Sequence, residues 1–171
     1  NPYHCMKEGD SPSWLFFMRN GLNDPEHPEW GGWGGRYLPV TQSQYADACN
    51  IDGDSCSRHK TVWQWRQDFQ NDFAARADWC MLPVYKCNHP PRAVINSDKT
   101  LNAFYMNCST GNDILLDASE SFDMDQNTLS FKWYLDRDAS RVQLSDTIFS
   151  STDQSSTTLN VSDMPRGSMA H

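Results

Sequence analysis

The chain changes its rhythm at Asn88-His89-Pro90-Pro91. Before this point its clearest pattern is an apolar residue every three or four positions; beyond it, apolar and polar residues alternate. Two adjacent prolines stop the preceding element and stiffen a short connection. The sequence therefore predicts a mixed architecture: an α/β part over residues 1–87, a Pro-rich linker at 88–91, and an all-β part over residues 92–171.

The second part reads as short strands separated by turns. Candidates lie at residues 93–95, 113–117, 129–135, 142–144, 147–149 and 157–161. In the third of these, Leu129, Phe131, Trp133 and Leu135 share one face, and Ser130, Lys132 and Tyr134 the other. Such strands, with a tryptophan on a central one, predict an immunoglobulin-like sandwich. The strand count falls short of seven, so a truncated sandwich is expected, with an open edge that invites a strand from another molecule.

In the first part, the continuous apolar run Trp14-Leu15-Phe16-Phe17-Met18 predicts a strand buried on both faces, as in a parallel sheet. Residues 24–35, rich in Pro and Gly, exclude regular helix or central strand. Thr61 and Gln64 have the spacing of a capping box. Val62, Trp65, Phe69, Phe73 and Ala77 then mark one apolar face of a helix ending near Trp79. Asp52-Gly53-Asp54 has the look of a calcium-loop fragment, and a plain turn is the simpler account.

The net charge of -8 and the lack of a basic run argue against nucleic acid as a partner. No apolar run approaches the roughly 20 residues that cross a bilayer. Six cysteines without metal-ligand spacing favour disulfides and an oxidising compartment. Cys49 with Cys56 and Cys80 with Cys87 would close short loops, leaving Cys5 with Cys108, one of fifteen pairings that six cysteines permit. Asn107 and Asn160 each begin an N-glycosylation sequon. These features predict a secreted, extracellular, disulfide-bonded glycoprotein. A start at Asn1, without methionine or leader, is expected of a mature or excised fragment.

The densest chemistry lies in His-Pro-Glu-Trp-Gly-Gly-Trp-Gly-Gly-Arg-Tyr, residues 27–37. Two indoles among four glycines make either a flat stacking surface or a tight loop with its tryptophans buried. On the first reading, Trp30, Trp33, Arg36, His27 and Glu26 are binding residues for polysaccharide or a neighbouring subunit.

Residues 8–37, with the string Gly-Gly-Trp-Gly-Gly-Arg-Tyr, resemble the late part of the nucleoside-hydrolase-like domain of a family of secreted proteins often described as cellulose-binding. The resemblance continues through residues 62–79 and the linker. Residues 116–133 resemble that family's C-terminal PKD/immunoglobulin-like hairpin. The family's aspartate cluster, which holds calcium and activates water, has no counterpart in this chain. The resemblance thus implies a part of a doubly wound domain that leans on a partner, either a missing N-terminal portion or copies of itself. In the hairpin, Asp123, Asp125 and Asn127 keep oxygens at alternate positions and are candidate calcium ligands, with a metal-free Asx turn as the alternative. No catalytic residue and no other cofactor is expected. The expected function is a non-catalytic binding or structural module, through carbohydrate contact or extracellular assembly as an oligomer or filament. The alternative is a fragment of a nucleoside-hydrolase-like glycosidase whose catalytic aspartates lie on a missing segment. Glu26, His27, Asn20 and Arg36 would then line its substrate pocket.

Overall fold

A computed structural model describes residues 11–109, 111–140 and 148–162. The chain divides into two compact units, one up to Gln67 and one from Asp68 onward. Among the described residues the fold is a mixture of short helices and three two-stranded antiparallel sheets.

The first unit opens with a helix, α1 (Ser11–Phe17). This corrects the strand expected at residues 14–18. A short unbroken apolar run has no period of its own, so it fits helix and buried strand alike. Here proline stands second in the helix, in the first turn, where its missing N–H costs nothing. Trp14 and Phe17 face outward, while the Phe16 ring meets Tyr37 edge-on at 5.7 Å.

Two hairpins follow. Strand β1 (Tyr37–Thr41) pairs with β2 (Gln44–Asp47), with an irregularity between Pro39 and Thr41. Strand β3 (Asn50–Asp52) pairs with β4 (Ser55–Ser57), Ile51 opposite Cys56. Gly53, at φ 61°, turns this hairpin, so Asp52-Gly53-Asp54 is a hairpin turn. The disulfide Cys49–Cys56 closes it, as the spacing predicts. No parallel pairing occurs among the described residues, in place of the parallel sheet expected there.

The helix expected from Thr61 is two helices, α2 (Lys60–Trp63) and α3 (Arg66–Met81). The capping box does not form. Thr61 Oγ1 donates to the Arg58 carbonyl at 2.8 Å, and Gln64 Oε1 accepts from Asn50 at 3.2 Å. The Ser57 hydroxyl receives the Lys60 N–H instead. No side chain of α3 is buried, and Phe73, placed on the expected core face, is 71% exposed.

In the second unit, β5 (Ile114–Asp117) pairs with β6 (Ser156–Leu159). Its core is small: Val94, Val161, Ala118, Leu135 and Ala139, with Thr157 buried beside them. The Ser121 hydroxyl accepts the Val94 N–H at 3.0 Å and donates to the Val94 carbonyl at 3.3 Å. Arg92 and Phe122 form an isolated bridge, as do Phe149 and Leu159. Residues 129–135 show the expected alternation of covered and exposed side chains without joining a ladder. The strand expected at 142–144, and residue 147 of the next, lie outside the described residues.

Cys80, Cys87 and Cys108 are free thiols, which corrects the Cys80–Cys87 bridge and leaves Cys108 unbridged. Cys80 lies on α3 with its thiol turned to the Arg76 carbonyl. The Cys87 thiol points to the carbonyls of Leu82 and Pro83. Cys5 lies outside the described residues.

Asn88 and His89 fasten α3 to the turn at Asp123. The Trp79 indole N–H donates to the Asn88 carbonyl at 3.0 Å, and its ring stacks on His89 at 5.5 Å. The Arg76 guanidinium lies 5.4 Å from the Trp79 ring centroid. His89 gives its backbone N–H to Asp125 Oδ2 at 2.6 Å, and its ring Nδ1 stands 3.0 Å from Asp125 Oδ1. These bonds, the ring contact first, hold the Asp125 carboxyl below the usual carboxylate range. A carboxylate with a lowered folded-state pKa stabilises the fold above its unfolded value, 3.8, and loses that contribution as pH falls through the folded value. Asp125→Asn is therefore expected to lower the melting temperature at pH 7. The gap from the parent should narrow as the pH falls below 3.8 and the parent's own carboxylate takes up its proton. Equal melting temperatures at pH 7 would show the contact to be idle.

A candidate carbohydrate-contact loop

Residues 24–37 form a loop folded on its own glycines. The Asp24 side chain accepts the Glu26 N–H at 2.9 Å, and a single 3-10 turn, Pro28–Trp30, follows. Gly31 and Gly35 adopt φ of 82° and 103°, which side chains rarely take. A Cβ on Gly35 would stand 3.1 Å from Val62 Cγ2 and 3.3 Å from Thr61 Oγ1. One on Gly32 would stand 2.8 Å from Asn23 Cβ. The glycines thus let the loop lie directly on α2 and on Asn23.

Trp30 is 7% exposed. His27 stacks on its face, ring centroids 4.0 Å apart and 8° from parallel, and Glu29 Oε1 stands 3.1 Å from His27 Nδ1. Arg36 is also buried. Its Nε donates to Asn50 Oδ1 at 3.0 Å and its Nη2 to the Cys49 carbonyl at 2.7 Å. Asn50 passes the chain on to Gln64. The Tyr37 hydroxyl donates to the Gly34 carbonyl at 2.8 Å. Burial raises the Tyr37 hydroxyl above its ordinary pKa, with Asp47 adding to the effect.

The five expected binding residues therefore fall into two sets. Trp30 and Arg36 sit inside the loop, and the reading of them as a solvent-facing surface is corrected. Close packing on the glycines turns one indole inward, and the Arg36 fork finds its acceptors inside. Trp33 and His27 are half-buried and Glu26 is exposed. These three keep accessible surface for a ligand. Asn50 and Gln64, which orient Arg36, had no sequence signal beyond Asn50 adjoining a disulfide cysteine.

The candidate calcium turn is built as an Asx turn. Asp123 Oδ1 accepts the N–H groups of Asp125 and Asn127, and the Asn127 amide donates to Asn88. Both Asp125 oxygens face His89. These hydrogen bonds shape the turn from within the protein. Among the described residues no group of three or more His, Cys, Asp or Glu is placed to hold a metal. No helix among them is long and apolar enough to cross a membrane.

Comparison with known proteins bears on this loop. A family model described as "Cellulose-binding Sde182, nucleoside hydrolase-like domain" matches residues 1–37, which end on the Gly-rich segment. Among solved structures, the chain is similar to a nucleoside hydrolase-related hypothetical protein from Saccharophagus degradans associated with carbohydrate metabolism. The two are 27% identical, with a TM-score of 0.78 over 96% of this chain. This chain spans 42% of that one. No curated protein matches.

Proposed function

We propose that this chain is a non-catalytic, carbohydrate-contacting module of a secreted glycoprotein, and that the loop of residues 24–37 is its contact surface. The observation that carries this reading is the placement of the cellulose-binding family match over that loop. His27 shields Trp30 on one side and has a side chain 42% exposed, beside the accessible Trp33 and Glu26. Aromatic rings offer a sugar ring an apolar face, and a neighbouring carboxylate accepts from its hydroxyls. Trp30 and Arg36 act beneath as supports. The asparagines of both sequons, Asn107 and Asn160, are exposed, as N-glycosylation requires. The disulfide Cys49–Cys56 agrees with an oxidising compartment. The second half would serve as an immunoglobulin-like assembly module.

The test is retention on insoluble cellulose and on xylan. Combined His27→Ala and Trp33→Ala is expected to weaken retention at least about tenfold, the loss of roughly 1.4 kcal/mol. The double variant should still unfold cooperatively, so that the loss of retention is read on folded protein. Retention unchanged in the double variant would end the carbohydrate reading of this loop.

The similarity to a nucleoside hydrolase-related protein favours a second reading, a glycosidase fragment whose catalytic aspartates lie on a segment outside this chain. Release of free base from nucleosides by the 171-residue chain would favour that reading over the first.

A further inference from the structure

Glu29 has no part in the contact surface described above, yet it holds one member of that surface in place. Pro28 opens the short turn that carries it. Trp30 donates its backbone N–H to the His27 carbonyl at 3.1 Å, so His27 and Trp30 stand three residues apart on one 3-10 turn. Side chains at that spacing eclipse, which lays the imidazole on the indole, 8° from parallel. Stacking fixes the plane of the ring and leaves open which of its nitrogens faces which neighbour. Glu29 settles that: its Oε1 stands 3.1 Å from His27 Nδ1. A carboxylate only accepts, so Nδ1 carries the proton this bond needs. A neutral imidazole has one N–H, and its Nε2 is then an acceptor. The Glu29 side chain is 25% exposed, so the bond is partly sheltered from competing water.

We infer, resting on the carbohydrate role proposed for the loop, that Glu29 is its positioning residue and makes its surface an acceptor of hydroxyl hydrogens, suited to a neutral glycan and not to an anionic one. His27 brings Nε2 to a contact and Glu26 brings carboxylate oxygens, groups that take a hydrogen and give none. Asp24, Glu26 and Glu29 make the loop acidic. Its one cation, Arg36, is buried and directs its fork to Asn50 and Cys49. A uronate or a sulfated sugar therefore meets like charge with no accessible cation of the loop to offset it. A neutral sugar meets acceptors matched to its hydroxyls and an aromatic face beside them.

The test is a pair of measurements on the full chain. Two-bond proton–nitrogen correlation spectra at about pH 8, above the ordinary histidine value of about 6.5, read which nitrogen of His27 carries the proton, and His27→Ala assigns the signals. The proton is expected on Nδ1 in the parent and on Nε2, the nitrogen that histidine in solution favours, in Glu29→Ala. Titration with cellohexaose and with a galacturonate hexamer reads the surface. The neutral oligomer is expected to bind the parent at least about tenfold more tightly than the anionic one. Glu29→Ala should weaken cellohexaose binding at least about fivefold. Glu29→Gln, whose amide oxygen can still accept from Nδ1, should recover much of that loss. A parent proton on Nε2, a tautomer or an affinity unmoved by Glu29→Ala, or galacturonate bound as tightly as cellohexaose would each overturn the role of Glu29 while leaving the loop a carbohydrate surface. Binding of neither oligomer would end the carbohydrate role and this one with it.

Discussion

Trp30→Ala is expected to destabilise the first unit by about 3–5 kcal/mol, the usual cost of deleting a buried indole. Trp30 is nearly enclosed and carries the His27 ring on its face, so truncation opens a cavity and removes the support of a candidate contact residue. Trp33→Ala, at a half-buried position in the same loop, should cost well under half as much. Denaturant unfolding of both variants measures the contrast. The carbohydrate assay should separate them in the opposite sense, with Trp33→Ala reducing contact directly and Trp30→Ala acting through the fold. Equal destabilisation by the two substitutions would contradict the burial of one ring and the half-burial of the other.

Arg36→Ala is expected to cost about 3 kcal/mol or more, because two hydrogen bonds from a charged donor disappear, leaving one acceptor buried and the other partly buried. The acceptors are Asn50 Oδ1 and the Cys49 carbonyl, next to the disulfide. Arg36→Lys should recover only part of the loss, since an ammonium lacks the planar fork that reaches both oxygens. A double-mutant cycle with Asn50→Ala isolates the shared bond and should give a coupling of at least about 0.5 kcal/mol. A loss under about 0.5 kcal/mol for Arg36→Ala would mean the network is dispensable.

The sequence revealed some of this arrangement and concealed the rest for identifiable reasons. The seven-residue spacing of Cys49 and Cys56 with a glycine turn between them is local, and the hairpin follows from it. The alternation over residues 129–135 is likewise local, and its burial pattern was legible. Whether that segment joins a ladder depends on a neighbouring strand, which no local pattern supplies. Residues 14–18 had no period to separate helix from strand. In the candidate site, the glycines announced a tight loop, but two tryptophans in one repeated setting gave no sign of which would turn inward. The choice rests on Asn23, Val62 and Thr61 pressing against the glycines from elsewhere in the chain. His89 and Asp125 meet across 36 positions, and nothing at either position forecasts the other.

The three ladders differ in how far apart along the chain their strands lie. β1 with β2, and β3 with β4, close across tight turns, so each can zip up from its own bend at little entropic cost. β5 must wait for β6, which arrives only after roughly forty further residues. As the polypeptide leaves a ribosome, the first unit can therefore reach its native pairing early. Until Ser156 and its neighbours emerge, the Ile114-Leu115-Leu116 strand stays unzipped, the interval in which a chaperone has most to grip.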